Sequence, residues 1–244
     1  MSDTSAGSHE PATGLQLPSG EGSLAHARAF VRTIDKRCHS DPGVRSALRR
    51  GVGRSLDEVP FMHRYVASWL TAEQFRNPEA QRAYYAVASL IADQRRDQYT
   101  SANESAGADS EQPADGASGP TPDSGQADGA APKRRYGTSL GSAFAAAVRK
   151  GDDGIRESSA ETRLNQLTRQ SANGLHRHLP GAIRQLRSRN IDVDYAQLLV
   201  DLIGWPRYSG SIKRRWLQDY YRTIQPRPTD GPSPDQVPEA AEKA

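Results

Sequence analysis

The chain has 244 residues, with Lys+Arg 32 against Asp+Glu 29 and a formal net charge of +3. That balance is an average: segments 1–23, 101–132 and 228–244 together carry −12, and the rest of the chain carries +15. Hydrophobic residues make up 35%, and the longest apolar run, Ala143 to Val148, is far short of the roughly 20 residues of a membrane helix; with one cysteine, Cys38, an internal disulfide and a thiolate metal cluster are excluded. The first residues show neither a basic nor an apolar signal region, so a cytoplasmic protein without membrane contact is expected.

Segment 101–132 is built from small, polar and acidic residues with no large apolar side chain. Such a stretch cannot bury enough surface to offset its ordering entropy. The expected organisation is a disordered acidic head at 1–23, an N-terminal helical bundle at 24–100, a disordered linker at 101–132, a C-terminal helical bundle at 133–227 and a disordered tail at 228–244.

Within the two blocks the apolar spacing is helical. Leu24, Ala27, Val31, Ile34 and Cys38 form one stripe. Asp41-Pro42 offers an N-cap followed by proline at the first helical position, and Gly51 ends that short segment. Ser55 and Glu58 have capping-box spacing ahead of a helix presenting Phe61, Tyr65, Trp69 and Leu70. Asn77-Pro78 opens the next, with Tyr84, Val87, Leu90 and Ile91 inward. In the second block Thr138 is the expected cap for Leu140, Phe144, Ala147 and Val148, with Gly151 as the stop. Ser158 and Glu161 repeat the capping-box spacing before Leu164 and Leu167. Leu175, Leu179, Ala182 and Leu186 make a stripe in which Pro180-Gly181 predicts a kink or break. Asp192 or Asp194 opens the helix of Tyr195, Leu198, Leu199 and Leu202, closed by Gly204 and Pro206, and Ser211 opens a last one carrying Ile212, Trp216, Leu217, Tyr220 and Ile224. No segment alternates with a period of two, so the fold class is all-α, two small bundles of eight or nine helices in all.

Catalytic motifs are missing: there is no glycine-rich phosphate loop, no H-E-x-x-H and no G-x-S-x-G. Asp152-Asp153, and Asp192, Asp194 and Asp201, suit turns and caps better than a metal nuclease site. His176 and His178 are two apart and fall on different faces of a helix, and Cys38 lies on an apolar stripe as a buried thiol. No cofactor is expected. The bases are more informative. Arginine outnumbers lysine 27 to 5, and a guanidinium grips phosphate through two parallel hydrogen bonds. They cluster at Arg45, Arg49, Arg50 and Arg54; at Lys133, Arg134 and Arg135; at Arg177, Arg184, Arg187 and Arg189; and at Lys213, Arg214 and Arg215. Arg177 and Arg184, seven apart, share a helix face that Arg187 extends. Only Tyr136 and Tyr208 look free to stack on a base, too few for a single-strand stacking platform. Backbone contacts with little sequence reading are therefore expected.

The ordered set of segments resembles the CasB family, the small subunit of the type I-E CRISPR Cascade complex. The resembling elements are Ser139-Leu140-Gly141 opening an alanine-rich helix, Arg163-Leu164 leading to Leu167 and Arg169, the run Arg184 to Leu186, Asp194 to Leu199 followed by a tryptophan, and Trp216 to Tyr221; in the first block, Ala47 to Gly51 and Val59 to Val66 fit more loosely. The resemblance implies a helical protein that is not an enzyme, working with the other Cascade subunits in a crRNA-guided complex. It also implies a second copy packed head to tail and basic residues that hold the DNA strands of an R-loop in antiviral defence. By motif that role falls to Arg49, Arg50, Arg163 and Arg169, and by charge to Arg54, Lys133, Arg134, Arg135, Arg177, Arg184, Arg187, Lys213 and Arg214. Two other functions fit the residues: a helical scaffold docking acidic protein partners, and a metal-dependent nuclease using the aspartates above.

Overall fold

In the computed structural model, which describes residues 20–94 and 137–225, the regular elements are all helical and no strand occurs among the described residues. The expectations for the head up to residue 19, for 95–136 and for the tail from 226 lie outside the described residues, and so do Lys133, Arg134, Arg135 and Tyr136.

Helix α1 runs over Gly20–Ser40, starting ahead of Leu24. Its buried stripe is Leu24, Ala27, Phe30, Ile34 and Cys38, with Val31 only half-buried, so Phe30 takes the place expected of Val31. Burial pushes the Cys38 thiol up to about 12, with the nearby Asp35 adding to the effect. Helix α2, Pro42–Arg49, is capped as expected: Asp41 Oδ1 accepts from the Gly43 and Val44 N–H groups at 2.7 and 3.2 Å.

Between residues 55 and 75 the structure corrects the sequence. The Ser55–Glu58 box forms, but it opens a single 3-10 turn, Leu56–Glu58. The chain then proceeds through the turn Pro60–Met62, the four-residue α3 (His63–Val66), the turn Ala67–Trp69 and α4 (Ala72–Phe75), which starts from its own Thr71–Gln74 box. Pro60 cannot donate a helical hydrogen bond, which breaks the run at its start. Phe75, at the end of α4, is 61% exposed. Helix α5, Pro78–Ala92, starts from Asn77, whose Oδ1 accepts from the Glu79 and Ala80 N–H groups.

In the second block the cap of α6 (Leu140–Arg149) is Ser139 rather than Thr138. Thr138 instead donates its N–H to Asp194 Oδ2 at 3.0 Å. Gly151, at φ 71°, supplies the left-handed residue after that helix. Helix α7, Glu157–Thr168, begins after an extended Arg156, so Ser158 lies inside it and caps nothing. Helix α8, Ala172–Arg187, continues through Pro180, where the sequence predicts a kink or a break. Helix α9, Tyr195–Ile224, is capped by Asp194 and has a non-helical residue, Tyr208 (φ −124°, ψ 20°), at its middle.

That residue divides α9 into the two helices the sequence predicts. In a straight helix the Cα atoms of Asp201 and Trp216 would stand roughly 22 Å apart. Here Trp216 Nε1 donates to Asp201 Oδ2 at 2.6 Å, Arg215 pairs with Asp201 Oδ1, and the Trp205 and Trp216 rings lie 5.2 Å apart. The two arms therefore fold back onto each other around a carboxylate that is 2% exposed. Asp201, expected as a turn or cap residue, is instead a buried acceptor, which Gln197 Nε2 also reaches at 2.7 Å.

Both blocks pack on this hairpin. Helix α6 crosses it so closely that a Cβ on Gly141 would sit 1.8 Å from the Trp216 carbonyl oxygen. Helices α1 and α5 of the first block also lie against α9, and the buried apolar residues of the two blocks form one continuous cluster. Two variants test this packing. Gly141→Ala meets backbone that cannot swing aside, and its expected cost is about 3 kcal/mol in chemical denaturation. Asp201→Ala removes the buried acceptor that Arg215, Trp216 and Gln197 share and is expected to cost about 3–5 kcal/mol; a loss below about 1 kcal/mol in either would show that the hairpin is not the anchor.

Candidate nucleic-acid interface

Helices α5 and α8 lie side by side. Arg82 donates to Asn173 Oδ1, and Arg184 Nε donates to Asp93 Oδ2 at 2.8 Å. Both links join residues 91 positions apart. A constant offset means that the two helices run parallel and in register. From Arg82 to Asp93 is three helical turns, a seam roughly 16 Å long.

Basic residues of both blocks gather on this seam. Asp93 receives a second guanidinium, Arg49 Nε to Oδ1 at 3.0 Å, so one carboxylate holds arginines from α2 and α8. Its side chain is 6% exposed, while those of Arg49 and Arg184 are 64% and 59% exposed. The carboxylate is thus a buried seat and the guanidiniums face outward. Arg45 braces the same corner by donating to the Ala92 carbonyl at 3.3 Å, a cation at a helix C-terminus. Further back along the seam, Arg54, Arg82 and Arg177 line a cavity of about 420 Å³ with Asn173 and His176. His176 is buried, and burial together with the Arg82 charge pushes its imidazole down to about 4, so it is neutral at physiological pH.

The other expected residues are dispersed. Arg50 caps α2 and lays its guanidinium 5.0 Å from the Phe61 ring centre. Arg163 is half-buried and donates to Gln185 and Gln166 at 3.3 and 3.1 Å. Arg169 is exposed at the end of α7, and Arg187 is half-buried at the end of α8. The cluster at 213–215 splits three ways: Lys213 sits over the Trp205 ring at 5.4 Å, Arg214 is exposed, and Arg215 turns inward to Asp201. Tyr208, expected in a loop, is half-buried against the core at the bend of α9. Sequence reasoning missed Asp93 and Arg82, which belong to no charge cluster. It also missed an exposed row on α1, Arg28, Arg32 and Lys36, whose spacing of four was visible.

Among the described residues no group of three or more His, Cys, Asp or Glu could hold a metal ion. Asp152 and Asp153 are exposed in the turn Gly151–Asp153, Asp194 caps α9, and Asp201 is occupied by its donors. No described helix is long and apolar enough to cross a membrane.

A two-block helical fold with an arginine-lined seam is the class that these observations define. The family model for CRISPR-associated protein Cse2 matches residues 44–221, well over half of the chain. Among solved structures, a chain of a CRISPR RNA-guided surveillance complex is 31% identical with a TM-score of 0.61, over 83% of this chain and 95% of that one. A chain of such a complex in a pre-nicking form is 31% identical at 0.63, over 82% and 94%. M. ruber CasB, at 22% identity and a TM-score of 0.56 over 82% and 95%, shares the fold. No curated protein matches. The chain belongs to the CRISPR-associated Cse2 family, the CasB family that the sequence resembles.

The burial of His176 has a pH signature. Its folded value of about 4 lies below the ordinary 6.5, so between those values the unfolded chain binds a proton that the folded chain refuses. The stability contributed is complete above pH 6.5 and lost as the pH falls toward 4, up to about 3 kcal/mol. His176→Phe should lack this part of the slope in denaturation curves taken across pH 4–7. Asp35, pushed up to about 6 by burial, contributes a slope of opposite sign that both proteins share. Identical slopes in the two proteins would contradict the burial.

Proposed function

We propose that the chain is a non-catalytic, nucleic-acid-binding subunit of a type I-E crRNA-guided surveillance complex, and that its α5–α8 seam holds a DNA strand by its backbone and so stabilises the R-loop. The observation that carries this is the outward pair Arg49 and Arg184 seated on one buried carboxylate, in line with Arg54, Arg82 and Arg177. A seam of roughly 16 Å spans about five phosphate steps of one duplex strand at 3.4 Å each. Five arginines therefore match the charge they face. The relatives at 31% identity are chains of CRISPR RNA-guided surveillance complexes, which supports the same kind of setting here. Arg50, Arg163, Arg169, Arg187, Lys213, Arg214 and the segment Lys133 to Arg135 belong to the proposal as further strand contacts. The chain works in the cytoplasm beside the other subunits and a second copy of itself, and the two acidic ends and the 101–132 linker flank its helical blocks.

The energetic role is modest and sufficient. In RNA-guided recognition the heteroduplex formed is about as stable as the duplex replaced, so protein contacts to strand backbones tip the exchange. Each phosphate neutralised adds about −0.9 to the slope of log affinity against log salt on duplex, and about −0.7 on single strands. Changing Arg49, Arg54, Arg177 and Arg184 together to Ala should make that slope shallower by about 3 and shorten R-loop lifetime in the reconstituted complex. An unchanged slope and lifetime would overturn the seam as the contact and favour a scaffold that docks acidic proteins.

A further inference from the structure

The seam is more than a row of charges, because it encloses a cavity whose polar groups are not those of a backbone clamp alone. Arg54, Arg82 and Arg177 bring three guanidiniums to its wall. Glu58, the one carboxylate among the lining residues, is turned back onto Ser55, accepting from its N–H at 2.8 Å and its Oγ at 2.9 Å. The wall therefore favours an anion. Beside the arginines stand groups suited to a heterocycle. Asn173 accepts from Arg82 through Oδ1, which leaves its NH2 to donate. His176 is 7% exposed, and its Nδ1 has no hydrogen-bond partner among the described residues. Pro180, also on the wall, has no N–H to give to the carbonyl of residue 176, so that oxygen loses its helical partner as well. Nδ1 itself is sealed from the cavity, so only the 7% of His176 that stays exposed at the wall can meet a ligand there.

We propose that this cavity receives one nucleotide splayed out of a bound DNA single strand, its phosphate held by Arg54, Arg82 and Arg177 and the edge of its base hydrogen-bonded by Asn173 and His176. The inference rests on the strand-holding role proposed above and adds a subsite to it. At about 420 Å³ the cavity falls within the range of small-ligand sites, large enough for one base and its sugar but not for a stacked pair. On α5 its lining runs from Arg82 to Leu90, within one turn of Asp93, so a strand can lie on Arg49 and Arg184 while an adjoining unit turns inward. Sequence reading by such a site is slight, since amide and imidazole offer only one donor or acceptor each to the base edge.

The experiment uses the full chain with ¹⁵N-labelled histidine and two single-stranded oligodeoxynucleotides of equal length and charge, one complete and one with abasic units at its centre. The complete strand should shift the His176 imidazole ¹⁵N resonances, the abasic strand should not, and affinity should favour the complete strand about tenfold, the size that two net hydrogen bonds supply. That preference should vanish in Asn173→Ala, an exposed substitution at the first turn of α8, and in His176→Phe, with thermal unfolding run alongside both. Equal affinity for the two strands with a silent His176 would overturn the pocket and leave the backbone contact standing. Failure of both strands to bind at low salt would instead remove the strand-holding role and the pocket with it. A shift of His176 with free deoxyadenosine monophosphate, absent with either strand, would overturn a strand nucleotide in favour of a free one.

Discussion

The buried carboxylate of Asp201 is the point on which the architecture depends. It sits seven residues before the bend at Tyr208, and its partners Arg215 and Trp216 sit seven and eight after it, so satisfying one group requires α9 to close on itself. Burial pushes the carboxyl up from its ordinary range, against the guanidinium and hydrogen bonds that favour its charge. An ion pair in that setting specifies geometry more than it adds stability, because desolvation offsets much of the attraction. The closed hairpin in turn organises the apolar packing around it: the Trp205–Trp216 pair becomes the floor of the core, α6 seats Gly141 on the Trp216 backbone, and α1 and α5 lean on the same post. Each large side chain buried there contributes about 1.5–3 kcal/mol, so the strength of the junction comes from the packing that Asp201 orients.

The second consequence is positional. With both blocks seated on α9, α8 comes to lie parallel to α5, and residues 91 apart in the chain become neighbours along three turns. Arginines as far apart in the chain as Arg49 and Arg184 thereby share one carboxylate. Because both guanidiniums are more than half exposed, each pair contributes at most about 1 kcal/mol to the fold. Weak pairing leaves the arginines available: a strand phosphate can share or displace the aspartate without loosening the core.

The sequence made much of this legible, and for identifiable reasons. Caps such as Asp41, Asn77 and Asp194 are local, decided by one side chain and the next two N–H groups, and they form as expected. The two helices within α9 were legible for the same reason, since Gly204 and Pro206 end the first and Ser211 opens the second. Apart from the local break at Pro60 and the misplaced cap at Ser158, the errors arose where tertiary contact decides. Phe30 rather than Val31 faces inward because Trp69 and Tyr84 meet it there edge-on. Pro180 predicts a kink or a break, and of the two a break does not occur, because Leu175, Leu179, Ala182, Ile183 and Leu186 hold the helix on the core from both sides of the proline. The arginine clusters marked where cations gather in the chain but could not say which members point outward. Arg215 differs from Arg214 only by helical phase, and Asp93 announces nothing until α8 is beside it.

Phase also changes the meaning of the charge split. A surplus of +15 over the helical blocks describes a mean field, which steers a polyanion without choosing a face. The fold makes that surplus directional by committing some cations internally, Arg215 to Asp201 and Arg45 to the end of α5, and by lining up others along the seam. The latter form the centre of the proposed strand contact. A handful is enough where the strand exchange itself is nearly balanced, since every 1.4 kcal/mol supplied by the protein moves the open state by a factor of about ten. A stronger grip would gain little, because a subunit that held any strand tightly would also hold strands that no guide had selected.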